Sequence, residues 1–334
     1  MVAAARTGDR RALGRLLTLA ERGGRGADEV DAAVSPAVRG ATVVGITGAP
    51  GAGKSSLTGR LAARLAEAGE RVGVIAVDPS SPFSGGAVLG DRVRMDEVTG
   101  ERRDAVFIRS MATRGHEGGL ALAVPLAVRV FDAVGFDRIL VETVGVGQVE
   151  VEVAGAADTT VVVVTPGWGD AVQAAKAGLL EVGDVFVVNK ADRPGVGDAV
   201  RDLERMLDLS PGAHEPQVWR PPVVTTVATT GEGIERLVEV LDEHRRHLVE
   251  SGEGDRRRSG RRRREIRERA LAAIARRLDA ELARDGAEGS AGAGAVSVGG
   301  AAAVLVDRLT GGASPTSDEG SAGSGAGTAD SRHG

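Results

Sequence analysis

Seven short runs rich in valine, isoleucine and leucine punctuate the chain: Thr42 to Ile46, Arg71 to Val77, Val106 to Ser110, Arg138 to Glu142, Thr159 to Thr165, Val185 to Asn189 and Val223 to Thr226. Each is close to continuously apolar rather than alternating, which predicts strands covered on both faces. Between them, apolar residues recur at helical spacing over Leu57 to Ala68, Leu120 to Phe131, Ala171 to Val182, Val200 to Leu209 and Ile234 to Val249. Strands alternating with helices predict an α/β fold, a three-layer sandwich around a mostly parallel sheet, with ligands bound outside the carboxyl ends of the strands. Ahead of the sheet lies one helical pattern, Arg10 to Arg22, carrying Leu13, Leu16, Leu17 and Leu19, then a glycine-rich connector. Beyond Ser251 come seven arginines between Arg256 and Arg264 and a helical pattern over Ile266 to Leu282. From about Gly286 the chain is mostly Gly, Ala and Ser, interrupted by the apolar stretch Ala301 to Leu309. The expected organisation is an N-terminal helical extension at 1–40, the α/β domain at 41–250, a C-terminal helical arm at 251–310 and a disordered tail at 311–334.

Composition narrows the function classes. With 334 residues, 42% of them hydrophobic, the chain can bury a large core. Forty-two basic against forty-seven acidic side chains leave a net charge of −5, which argues against a general nucleic-acid binder. The arginine run admits an anionic partner, a solvated helix face or a subunit contact. No cysteine is present, so disulfides and thiolate metal sites are excluded. The first fifteen residues lack an apolar core of signal-peptide length and no run is long enough to span a membrane, so a cytoplasmic protein without membrane contact is expected.

Directly after the first strand, Gly48, Ala49, Pro50, Gly51, Ala52, Gly53, Lys54 and Ser55 spell a phosphate-binding loop, with Ser56 continuing into the helix. Its glycines let successive amides turn inward on a phosphate, Lys54 can reach the β and γ phosphates, and the Ser55 hydroxyl can hold Mg2+. At the end of the sixth strand stand Asn189, Lys190, Ala191 and Asp192. The Asp192 carboxylate can accept from guanine N1 and N2, whereas adenine would leave it unsatisfied. Lys190 can lay its stem along the base and Asn189 can bond both the base and the phosphate loop. At the end of the fourth strand, Glu142 can hold a water on the metal, and the Gly145 amide can meet the γ-phosphate. Asp78 and Asp91 offer further metal-side carboxylates. Val227, Ala228 and Thr229 follow the last strand, where the Ala228 amide can meet guanine O6. GTP and GDP are thus the expected substrate and product, with Lys54, Asp78, Asp91 and Glu142 as the catalytic set.

Longer motifs are more specific than any of these. They are VDPSSPFSGGAVLGDRVRM at 77–95, FIRSMATRGHEGGL at 107–120, VETVGVGQVEVEVAGAADTTVVV at 141–163 and VVNKADR at 187–193. By them the chain resembles the methylmalonyl-CoA mutase-associated GTPases, MeaB, also labelled ArgK, from about Thr42 to Glu250. The resemblance implies a phosphate-loop NTPase sheet, a homodimer and a helical C-terminal arm used in dimerisation. It also implies a GTP-hydrolysing chaperone that gates adenosylcobalamin loading and protects or reactivates methylmalonyl-CoA mutase, with a cobalamin adenosyltransferase as a further candidate partner. It places a client-responsive switch in PGWGDAVQAAK at 166–176, on Asp170, Gln173 and Lys176.

Two other readings compete. A nickel-delivering GTPase of related fold would need Cys and His at metal spacing, and only His244 and His247 lie at helical spacing, more often an exposed pair. A kinase linked to amino-acid transport follows from the older family label alone. Arg92, Arg94, Arg109 and Arg114 are the candidates for stabilising the transition state.

Overall fold

A computed structural model of the chain describes residues 1–79, 104–113, 119–143, 155–167, 182–209 and 218–284, with 299, 300, 302 and 306. It divides into two compact units, Met1–Arg269 and Ala270–Gly334.

The first unit is built on seven strands: β1 (Thr42–Gly48), β2 (Val72–Pro79), β3 (Val106–Thr113), β4 (Arg138–Thr143), β5 (Thr159–Val164), β6 (Val185–Asn189) and β7 (Val223–Thr226). They pair in the order β3-β2-β4-β1-β5-β6-β7, and every pairing between them is parallel. All seven apolar runs are therefore strands. β4 and β5 are buried along their whole length, as covering on both faces requires.

Alternate residues sort to opposite faces. Val44, Ile46, Leu140, Val161 and Val163 pack with helix α4 (Lys54–Glu67) through Leu57, Leu61 and Leu65, and with α7 (Ile234–Glu250) through Leu237 and Leu241. Val43, Ile75, Val77, Ile139 and Val141 face the other way, onto α2 (Arg10–Arg22) and α5 (Gly119–Ala133). Further along that side, Val162, Phe186 and Val188 meet Leu203 and Leu207 of α6 (Val196–Asp208). Each fully buried Leu or Phe contributes about 2–3 kcal/mol over exposure, so the interdigitated helices fix the strand tips that the site uses.

The amino ends of the strands share a device. Asp137, Asp158 and Asp184 each precede a strand and accept a backbone N–H from the start of the neighbouring one: Arg71 N at 2.8 Å, Val43 N at 3.0 Å and Thr160 N at 2.8 Å respectively. A carboxylate at each junction thus satisfies an amide that the ladder leaves over.

The glycine-rich connector and the arginine run depart from expectation, whereas α2 has the expected bounds. The glycine-rich connector contains a helix, α3 (Gly24–Val34), after a short α1 (Val2–Arg6). Gly24 and Gly26 weaken its intrinsic propensity, but Ala27, Val30 and Val34 recur at helical spacing and are buried against the rest of that layer, so tertiary packing prevails. Helix α2 begins where Asp9 Oδ1 accepts from Arg11 N and Ala12 N at 2.9 and 3.0 Å. The arginine run is itself helical, within α8 (Glu253–Arg284), and part of it faces inward. Arg257 donates to Asp158 O at 3.1 Å and to both Asp184 oxygens at 3.0 Å; Arg261 donates to Ala157 O at 2.6 Å and pairs with Asp158; Arg264 donates to Gly155 O at 3.1 Å. Spacings of four and three put these on one helix face, which clamps the strand ends.

The second unit contains residues 270–284 of α8, where Leu271 and Ile274 are exposed. Among the described residues no helix is long and apolar enough to cross a membrane.

Candidate functional site

Three loops converge at the carboxyl ends of β1, β6 and β7. The first is the glycine-rich loop between β1 and α4. Gly48 has φ 135°, and a Cβ there would stand 2.1 Å from Val163 O; Gly53 has φ 89°, and its Cβ would stand 2.5 Å from Asn189 Nδ2. Both positions need glycine for conformation and for close approach. Gly53 is also the N-cap of α4, and no side chain caps the helix there, an arrangement that can receive an anion on its first amides. Lys54 is buried, and its Nζ donates to Gly48 O at 2.7 Å and Ala49 O at 3.0 Å, which bridges the loop's entry.

The residues expected on the metal side, Ser55 and Glu142, lie between β1 and β4. Ser55 Oγ donates to Glu142 Oε1 at 2.6 Å, and Glu142 is 1% exposed. The Thr143 and Thr47 hydroxyls join the two strand tips at 3.3 Å. A hydroxyl and a carboxylate side by side are hard oxygen donors, the chemistry that fits Mg2+. Of Asp78 the backbone is described, paired with Ala112 of β3, on the strand that neighbours Glu142's own. Asp91, Gly145, Asp170, Gln173 and Lys176 lie outside the described residues, as do Arg92, Arg94 and Arg114. Arg109 is paired with Glu21 of α2.

Asn189 knits the base side to the phosphate side. It is 1% exposed; its Nδ2 donates to Ala52 O at 2.8 Å, and its Oδ1 accepts from Thr226 Oγ1 and from Ala228 N, each at 3.1 Å. Ala228 N, expected to meet guanine O6, thus already has a protein acceptor that a base would share. Lys190 is the one non-glycine residue with positive φ, 59°, among those described, and its Nζ donates to Gly51 O at 2.6 Å. Its aliphatic stem therefore lies toward the phosphate loop. Asp192 is exposed and makes no hydrogen bond or ion pair among the described residues, so its carboxylate is available. Val227 is buried, with its amide on Glu232 O at 3.0 Å, so valine fills a packing position there.

Two contacts escaped the sequence reading. Thr226, foreseen as a strand residue, orients Asn189. Arg60, on α4, donates to Ala228 O and Thr229 O. Neither belongs to a motif with a spacing signal.

His244, foreseen as one of an exposed pair, is instead completely buried at the opposite end of the sheet. Thr159 Oγ1 lies 2.8 Å from its Nδ1, and its ring packs on Trp219 with centroids 4.7 Å apart. Burial, with Arg257 and His247 adding repulsion, lowers its pKa to about 3. Among the described residues no group of three or more His, Asp or Glu could hold a metal.

A parallel sheet bearing a phosphate-binding loop after its central strand, with helices on both faces, defines the phosphate-loop nucleoside triphosphatase fold. Within it, the chain belongs to the MeaB family, described as methylmalonyl Co-A mutase-associated GTPases, which matches residues 13–283. A Pyrococcus horikoshii protein named as a GTPase is 47% identical over 275 residues, 82% of this chain and 86% of its own. The mouse protein named methylmalonic aciduria type A homolog, mitochondrial, is 38% identical over 211 residues, 63% of this chain and 50% of its own. The crystal structure of an LAO/AO transport system kinase superposes with a TM-score of 0.67 at 26% identity, covering 93% of this chain and 95% of that one.

Proposed function

We propose that this chain is a Mg2+-dependent GTPase that acts as a chaperone for methylmalonyl-CoA mutase, gating adenosylcobalamin loading and protecting or reactivating the enzyme. The observation that carries the reading is the Asn189 bridge. One buried side chain ties the phosphate loop at Ala52 to the base-side loop at Ala228, the arrangement that a single nucleotide spanning both would need. Family membership and the mouse relative's name support the client.

In this reading the amides of residues 51–56 surround the phosphates, and Lys54 exchanges its loop carbonyls for phosphate oxygens. Ser55 would hold the ion directly and Glu142 through water, with Asp78 and Asp91 as further carboxylates; the ion supplies charge neutralisation on the β and γ phosphates. Asp192 selects guanine by accepting from N1 and N2. Loss of the γ-phosphate would release the loop at Gly145, and Asp170, Gln173 and Lys176 would register the client. Exposed Ile266, Leu271 and Ile274 on α8 support a homodimer formed through the arm. A cytoplasmic location is part of the same reading.

The test is GTP turnover with and without purified methylmalonyl-CoA mutase. Intrinsic turnover is expected to be slow and to rise severalfold as mutase is added. A rate that stays flat across mutase concentrations would refute the client assignment.

A further inference from the structure

Helix α4 starts at the phosphate loop, and Arg60, on its half-buried flank, reaches the loop after β7. Arg60 Nε donates to Ala228 O at 3.2 Å, and Nη2 donates to Thr229 O at 2.7 Å. A guanidinium offers its donors in a fixed planar fork, so gripping two successive carbonyls sets the turn's orientation, whereas a single-point ammonium would let it swivel. The turn is held from its other side by Val227 N on Glu232 O at 3.0 Å and by Asn189 Oδ1, which accepts from Thr226 Oγ1 and Ala228 N. Further along α4, Arg64 pairs with Glu235 with one contact at 2.7 Å, which ties α4 to the start of α7.

The Ala228 amide therefore sits between two clamps. Asn189 draws it toward the phosphate loop, and Arg60 fixes the two carbonyls that follow it. We propose that Arg60 is a positioning residue for base specificity: it holds the Ala228 N–H where it can meet O6 of a guanine nucleotide and couples that donor to the helix carrying Lys54. The inference rests on the guanine reading given above. Without the fork, Ala228 would still have Asn189 as an acceptor, but the turn could rotate away from O6 at little cost.

The experiment compares GDP with 6-thioguanosine diphosphate, which keeps the N1 and N2 hydrogens that Asp192 would read and presents sulfur, a weak acceptor, at position 6. Affinities of both, with Mg2+, are measured for the wild-type chain, Arg60→Ala and Arg60→Lys. The wild type is expected to prefer GDP by about tenfold, the worth of one well-aligned hydrogen bond. Arg60→Ala should cut that ratio to about twofold, and Arg60→Lys, which can hold one carbonyl, should lie between. A purely structural role would weaken both ligands alike, so an unchanged ratio in Arg60→Ala overturns the inference whatever happens to affinity. If the alanine variant does not fold, the Arg60→Lys ratio decides in the same way. A wild type that binds both ligands equally, yet GDP better than ADP, overturns the role of Arg60 alone; one that ignores guanine altogether overturns the reading of the site as well.

Discussion

At the carboxyl ends of β1, β6 and β7 the loops are held mainly by neutral hydrogen bonds and one buried lysine, whereas at the amino ends of β5 and β6 buried carboxylates are clamped by arginines. Asn189 makes three bonds of 2.8–3.1 Å, to Ala52 O, Thr226 Oγ1 and Ala228 N, and Lys54 and Lys190 rest on backbone carbonyls. At the other end Asp158 is 5% exposed and faces Arg261, Arg258 and the Val43 amide, while Asp184 takes Arg257 with both oxygens. Buried charge pairs cost much to break because each partner is left uncompensated. One end of the sheet is thus tied by neutral bonds and the other by charge pairs, so removing a side chain at each end should have different consequences.

Two substitutions should split cleanly along that line. Lys54→Ala should abolish detectable nucleotide binding, a loss of about 100-fold or more, while moving stability by no more than about 1 kcal/mol, because it removes a buried cation whose desolvation offsets its bonds to the loop carbonyls. Asp158→Ala should do the reverse. It strands the Val43 amide and takes the carboxylate from Arg261, which keeps only Ala157 O, and is expected to cost about 3–5 kcal/mol in denaturant unfolding. If the two variants lose stability equally, the contrast between the ends is wrong.

A smaller effect sharpens the contrast through pH. His244 has its pKa lowered to about 3 in the folded chain, chiefly by burial. The unfolded chain takes up that proton near the ordinary value of about 6.5, so the group's contribution is fully present above pH 6.5 and is lost as pH falls toward 3. Asp184, its buried neighbour, is shifted upward by burial against the pull of Arg257 and opposes part of that loss. Unfolding free energies from urea titrations between pH 7 and 5 should therefore fall less steeply in His244→Gln than in the wild type, by up to about 1.4 kcal/mol per pH unit. Equal slopes would mean that His244 is not held neutral by the core.

The strands were legible because burial on both faces writes a dense apolar run: β6 and β7 match their expected bounds, and the others differ by a few residues at the ends. The phosphate loop and the Asn189 to Asp192 segment were legible because their chemistry is local in sequence. What escaped is what depends on distant partners. Helix α3 is stabilised by its neighbours rather than by its glycine-bearing sequence, and the arginines of α8 look like a solvated stripe until Asp158 and Asp184 are placed opposite them. Arg60 likewise has meaning only against Ala228 and Thr229, on a loop brought to it by the sheet.

The central claim is that a guanine nucleotide spans the loops around Lys54 and Asp192. Titration calorimetry of GDP and ADP with Mg2+, into the wild-type chain and Asp192→Asn, tests it most directly. The account predicts heat with GDP, little or none with ADP, and weakening of GDP by about tenfold or more in Asp192→Asn as the paired N1 and N2 hydrogens lose their carboxylate. Equal affinity for GDP and ADP, or an Asp192→Asn variant that binds GDP as the wild type does, would contradict it.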